Sequence, residues 1–503
     1  MASKAIHAVR SWFARLRAAD EHRDGPAPGR PRLAAATAAV AGFAAVLLVP
    51  AAALVAFVSL VVVSIHAGSL LAWTGAAMLA AAASVATAAT LYLLGLRPRQ
   101  PVGYTLTLDE APALFALIEE VCHEYRGGPL SRAPVIHRLC VTGDYELAAV
   151  AVPRSAIPFA HRNTLVVGLP VLQTVTPSQF EALLSRQLAM LSGRDAPLTG
   201  ALVRLRRSWF ACAAAPAARP AFLHRLIMPL VGAYARFYGH LSRPLAMAYR
   251  EAADQAALAR VSSEDMVDGM VAYEVGARFV ARKFWPTLER LADRVAKPPR
   301  LPYETLEQAF LKGVRPRERR SWLQAALRDR TRRTTPPLDR RIAHLSNNPP
   351  RLPAMPIVTA AREYLAETAG LIERHLDQRW LKANLGAWER RYSRRRMAER
   401  RIRTLRERAE SRSLNGRELK DFLALVRRYV DRPRAGALYK ALLPNIAGNP
   451  RANFVVGRLL LGCGDAEGII VLEKAMALDS RYTAQACALI AGFKARRTAT
   501  QVA

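Results

Sequence analysis

Between Leu33 and Leu96 the chain contains no Asp, Glu, Lys or Arg. A hydrocarbon core about 30 Å thick needs about 20 apolar residues per spanning helix, so this stretch predicts two. The break is expected at the polar patch Ser64, His66, Gly68 and Ser69, giving spans near residues 36–63 and 70–95, with Pro50 a point where the first could kink. The apolar core of a cleaved signal peptide is only about 7–15 residues long and sits at the extreme N-terminus, so the pattern reads as an anchor.

Past the Pro/Gly linker RPRQPVG (97–103) the periodicity changes. Leu106 to Tyr125 has helical spacing, with the acidic pair Asp109 and Glu110 at its expected start. Val135–Val141, Leu147–Val152 and Thr164–Val167 are short β-branched runs between turn signals. Thr176-Pro177-Ser178-Gln179 then combines an N-cap, a first-turn proline and a capping-box partner ahead of Phe180, Leu183, Leu184, Leu188 and Leu191. The prediction is a mainly α protein with an α+β core.

The region Trp209–Ala246 is aromatic and apolar but interrupted by Pro216, Pro220 and Pro229, and it carries Arg225 and Arg236. It is too charged for a third span. It reads as a helix pair that packs on the domain or dips into the membrane interface, with the wall of a groove as its functional reading. Prolines cluster again at 347–356. Beyond them, Ala360–Gln378 and Trp380–Ser413 read as two long helices, the second dense with Arg390, Arg391, Arg394, Arg395, Arg396, Arg400, Arg401 and Arg403. Residues 434–495 resemble tetratricopeptide-type helix pairs, with Asn449-Pro450 recurring as Asp479-Ser480; a plain capping bundle is the alternative.

Charge sharpens this outline. Seventy-three Lys+Arg against 40 Asp+Glu give +33 over 503 residues, with a pI near 11.0, while 51% hydrophobic residues exclude a mostly disordered chain. Lys4, Arg10, Arg15, Arg17, Arg23, Arg30 and Arg32 precede the apolar stretch, Arg97 and Arg99 follow it, and the connecting turn has none. Positive-inside bias then places both ends in the cytoplasm, at a cell inner membrane crossed twice. Ala5–Leu16 is either a surface-lying amphipathic helix or a plain tail. The arginine-rich helix is a solvated face or a dock for anionic lipid; no groove-reading motif supports a specific nucleic-acid partner. Cys122, Cys140, Cys212, Cys463 and Cys487 include no CxxC, so neither a disulfide framework nor a thiolate metal site is expected.

The stretch RNTLVVGLPVLQTVTPSQFEALLSRQLAMLSGRD resembles the strand, loop and active-site helix of the HtpX and CAAX-prenyl-protease type of membrane zinc metallopeptidases, whose helix carries HExxH followed by a basic-acidic pair, here Arg194-Asp195. The resemblance implies a gluzincin-type domain over 104–346, ending near TTPPLDRRIAHL. It lies between a basic N-terminus (1–32) with the hairpin (33–96) and an arginine-rich region (357–430) followed by the repeats (434–495). In that register the zinc-binding histidines fall on Arg186 and Met190, the general-base glutamate on Gln187, and the third ligand, in AYREAAD, on Arg250. The asparagine of the expected substrate strand is replaced by Glu146.

Two histidines four apart on one helical face can share a Zn²⁺ while the glutamate between them takes a proton from the bound water. Arginine offers no lone pair, a thioether is a poor zinc ligand, and glutamine cannot accept the proton. The expected cofactor set is therefore empty, and zinc enters only on the alternative of an active peptidase with a rearranged site. In place of metal, Arg186 or Arg250 is expected to pair with Asp254 or Glu251. The sequence reads as a membrane-anchored, inactive homologue that binds polypeptides, and a basic membrane-surface organiser is the second alternative.

Overall fold

The computed structural model describes residues 30–67, 70–95, 101–125, 134–153, 161–192, 197–215, 221–331, 335–411 and 414–502. The Ala5–Leu16 segment, Gly68-Ser69, most of the Pro/Gly linker and Arg194-Asp195 lie outside them. The chain is mainly helical with one small sheet, and it divides into two units: residues 1–286 with 300–380, and 287–299 with 381–503.

In the first unit, the apolar stretch forms two helices, α1 (Arg30–Ala67) and α2 (Leu70–Gly95), packed on each other. Helix α1 runs through Pro50. Among the described residues, Trp73–Leu93 is long and apolar enough to cross a membrane, and Leu54–His66 is a shorter apolar stretch. Ser64 and Ser84 donate their hydroxyls to the carbonyls of Leu60 and Ala80, 2.7 and 2.8 Å away, so these polar groups are satisfied within their own helices.

The sheet comprises β1 (Tyr104–Leu106), β2 (Arg138–Thr142), β3 (Leu147–Pro153) and β4 (His161–Gly168) in the order β1-β2-β4-β3. Only β2 and β4 run parallel; β1 and β3 lie antiparallel at the edges. Three of the strands match β-branched runs in the sequence. The fourth, β1, corrects the expected helix from Leu106: Tyr104, Thr105 and Leu106 pair with Val141, Cys140 and Leu139. Glu110, expected in a first helical turn, instead accepts from Thr107 N at 2.8 Å and from the Tyr104 hydroxyl. Helix α3 (Pro112–Glu124) starts two residues later, with a proline in its first turn because that position needs no N–H donor.

Gly168 ends β4 where a Cβ would stand 2.1 Å from the Asp144 carbonyl oxygen. That closeness lets its N–H reach Glu146 O at 2.6 Å. The buried side chains of Leu114, Val121, Leu139, Leu165, Leu172, Phe180 and Leu184 form the core of this half. Helix α4 (Pro177–Ser192) is capped as its sequence predicts: Thr176 Oγ1 accepts from Gln179 N, and Gln179 Oε1 accepts from Thr176 N at 3.0 Å.

The aromatic region is a helix pair, α5 (Pro197–Ala213) and α6 (Ala221–Leu241), with Pro229 inside the second. Both pack on α1. The Tyr234 hydroxyl donates to Ala38 O at 2.5 Å, and Tyr92 of α2 lies 2.8 Å from His224 Nδ1. Next come α7 (Arg243–Ala256), α8 (Ser263–Phe279), α9 (Pro302–Gly313), α10 (Pro316–Leu327) and the short α11 (Leu338–Ala343).

The two long helices expected after residue 360 are divided differently. A six-residue helix, Ala360–Leu365, ends at Ala366 with φ 44°, and α12 (Thr368–Ser411) then runs unbroken past the expected break at Arg379. No glycine or proline interrupts 371–385, so nothing stops the helix there. Early in α12, Asp377 accepts from the backbone N–H groups of Tyr303 and Glu304, at 2.9 and 3.2 Å, and so caps α9.

In the second unit, Arg391 of α12 forks onto Asp293 at 2.8 and 3.0 Å, and α13 (Gly416–Tyr429) opens with a capping box between Asn415 and Glu418. Helices α14 (Arg432–Lys440), α15 (Pro450–Cys463), α16 (Glu467–Leu478) and α17 (Thr483–Val502) follow. The two expected repeat signals act alike: Asn449 accepts from Ala452 N and Asp479 from Arg481 N, each capping the turn that follows. Between α15 and α16, Gly464 takes φ 86°, and a Cβ on Gly468 would come 2.7 Å from the Gly457 carbonyl oxygen. The absence of side chains at Gly457 and Gly468 lets the two helix backbones touch.

Candidate functional site

Arg186 and Met190 occupy successive turns on one face of α4, and that face packs on α7, which carries Arg250, Glu251 and Asp254. The packing of α4 on α7 thus brings Arg186, Met190, Arg250, Glu251 and Asp254 to one helix pair. Asp254 is 2% exposed and Arg186 8%. Arg186 Nε donates to Asp254 Oδ1, the buried pair expected from the sequence.

Arg341 completes the arrangement. It reaches in from α11 and forks onto the same carboxylate, Nε to Oδ2 at 2.7 Å and Nη2 to Oδ1 at 3.0 Å. Asp254 thus accepts three charge-assisted hydrogen bonds from two buried guanidiniums, joining α4, α7 and α11. Burial alone would push the Asp254 carboxyl up, but Arg186 and Arg341 outweigh it and hold the group below the usual aspartate range.

The other expected residues separate. Met190 is a core side chain, buried beside Tyr249, and its carbonyl accepts from the Tyr249 hydroxyl at 2.7 Å. Gln187 is half-buried. Glu251 lies 2.9 Å from Arg340 Nε, at an angle that leaves its Oε1 without a hydrogen bond. Glu146 sits apart, accepting from Thr142 Oγ1 at 3.1 Å, and burial raises its carboxyl pKa.

Arg250 does not take the pairing role. Its Nη1 is buried and has no hydrogen-bond partner among the described residues. Burial first, and then the charges of Arg207, Arg186, Arg206 and Arg341, bring its pKa down to about 10, so it remains a cation at neutral pH. Arg206 and Arg207 come from α5. Arg206 donates to Gly239 O, and Arg207 Nη1 donates to Ala149 O of the edge strand β3 at 3.2 Å.

A zinc ion does not fit this donor set. At about 4 Å and an effective dielectric near 20, one guanidinium would repel Zn²⁺ by roughly 8 kcal/mol, and structural zinc binds with only about 10–16 kcal/mol. Arg186 and Arg250 both offer N–H donors where lone pairs are needed. The arrangement can hold helices together through Asp254 and can attract an anion.

Arg340, Arg341 and Arg207 were not legible as site residues. DRRIAHL reads as the end of a domain, and only the fold carries Arg341 across 87 positions to Asp254. No model of a known protein family, no curated protein and no solved structure matches the chain.

Proposed function

We propose that the chain is a membrane-anchored protein with an HtpX-like metallopeptidase-type scaffold that has exchanged zinc catalysis for an arginine–aspartate clamp, and that it binds polypeptides at a cytoplasmic membrane face rather than cutting them. The observation that carries this reading is Asp254, shared between Arg186 and Arg341 where a metal would have to join α4 to α7. Strand β3 supports the binding role, because an edge strand offers unpaired backbone groups to an extended peptide, although Arg207 already occupies one carbonyl. The helix pairs α15 to α17 supply a second, tetratricopeptide-like surface.

Membrane attachment is supported by the side chains that the hairpin leaves uncovered. Val55 is 65% exposed and Met78 76%, and apolar surface of this kind is matched by lipid rather than water. Leu226 and Leu230 of α6 add to it, which favours the interfacial reading of that helix.

Metal analysis of the full chain, purified in detergent, tests the proposal together with a casein assay. Zinc well below one per chain and no chelator-sensitive cleavage are expected. Stoichiometric zinc with chelator-sensitive cleavage would establish the active peptidase instead.

The surface-organiser reading rests on α12. Arg390, Arg394, Arg400 and Arg403 are exposed and, among the described residues, have no carboxylate partner, and Met397 between them is 60% exposed. Each arginine contributes about 1 kcal/mol at an anionic surface. Thiol labelling of Met397→Cys in a Cys487→Ser background, in nanodiscs, is expected to slow when phosphatidylserine replaces phosphatidylcholine and to recover at high salt. Equal rates in both lipids at every salt concentration would remove this reading.

A further inference from the structure

Helix α6 divides its circumference into three sectors. Ile227 and Val231 are buried with Tyr92 of α2, and Tyr238 with Ala35 of α1. Leu226, Pro229, Leu230 and Ala233 face outward, with Leu226 55% and Leu230 69% exposed. At about 3.6 residues per turn these four fall within about 100° of arc. Arg225 and Arg236 are also exposed and lie about three turns apart on one edge of that stripe. A helix that faces water puts polar side chains on its open face; α6 puts leucines there.

The position of α6 says what covers that stripe. Its His224 meets Tyr92 of α2 and its Tyr234 meets Ala38 of α1, so α6 crosses from one hairpin helix to the other close to the two ends of the charge-free stretch Leu33–Leu96. Leu91, next to Tyr92, is itself 64% exposed, which makes the stripe continuous with the uncovered apolar surface of the hairpin. We infer that α6 lies in the boundary between headgroups and acyl chains of the cytoplasmic leaflet, with Leu226 and Leu230 against acyl chains and Arg225 and Arg236 on lipid phosphates. A helix with one apolar face and a basic edge is suited to that depth, and arginine stems reach from it to the phosphates. The inference rests on the reading of the hairpin as an anchor and adds a second lipid contact made by the domain itself. Because α5 packs on α6, and Arg207 of α5 holds Ala149 O of β3, that contact fixes the sheet to the leaflet through packed helices and not through the Pro/Gly linker alone.

The test uses the full chain in nanodiscs, with Cys463 and Cys487 replaced by serine because the other three cysteines are buried. Bimane is attached at Leu230→Cys or, as the hairpin reference, at Val58→Cys, where the native side chain is 52% exposed. Brominated phosphatidylcholine is expected to quench the probe at 230 at least half as strongly as the probe at 58, and aqueous iodide to quench it weakly. Replacing part of the phosphatidylcholine by phosphatidylglycerol should raise lipid quenching at 230 in low salt, and Arg225→Gln with Arg236→Gln should abolish that rise. Strong quenching at 58 with iodide quenching alone at 230 would overturn the inference and leave the anchor standing. Quenching at 230 by neither agent would also overturn it, giving the stripe to a protein partner or a second copy of the chain. Lipid quenching at neither position would overturn the anchor and the inference together.

Discussion

Asp254→Ala is expected to destabilise the first unit by about 3–5 kcal/mol, the cost of leaving a buried charge uncompensated, and toward the upper end because Arg186 and Arg341 both lose their partner. Chemical denaturation of the full chain in detergent at neutral pH reads this directly. The pH dependence follows from the direction of the shift. The folded carboxyl is held below its unfolded value near 4, so its contribution is complete above about pH 4 and is lost as pH falls through the lower folded pKa. The wild-type chain should therefore lose this increment in acid, and Asp254→Ala should lack it. A triple replacement of Arg186, Asp254 and Arg341 by leucines should recover much of the loss, because it removes all three charges together. Unchanged stability of Asp254→Ala would show that the clamp does not hold α4, α7 and α11 together.

Building a zinc site between α4 and α7 is expected to need four substitutions. Arg186→His, Gln187→Glu and Met190→His would put two imidazoles four residues apart on α4 with a glutamate between them, but Arg250 would still stand beside the metal with a repulsion of roughly 8 kcal/mol. Adding Arg250→Glu replaces that repulsion with a third ligand. The triple variant should bind zinc weakly, and the quadruple variant should bind it at one per chain and release it to a chelator. Equal zinc content in the two variants would contradict the proposed register between α4 and α7.

The capping box at Thr176, the helical apolar hairpin and three of the four strands were legible because each depends on neighbours a few residues away: periodicity, a proline in a first turn, a short β-branched run. The errors arose where distant partners decide. Tyr104–Leu106 has too few residues to declare itself a strand, and its pairing with Leu139–Val141 settles the matter. The Arg186–Asp254 pair, 68 residues apart, was expected only from the resemblance, which set the two helices together and left Arg250 and Glu251 open as alternative partners. Arg250, given the same opportunity to pair, makes no ion pair among the described residues, and its Nη1 is left without a hydrogen bond.

The sequence alone determined the charge of the chain, its long uncharged segment and the residue types Arg186, Gln187, Met190 and Arg250, because these are read without any knowledge of what packs on what. The tertiary structure decided which arginines share the buried Asp254 carboxylate and which do not. Arg341 and Asp254 are 87 residues apart, and Arg207 belongs to a third helix. Electrostatic balance depends on distance and exclusion of water, and the folded chain sets both only when α4, α5, α7 and α11 close around the same point.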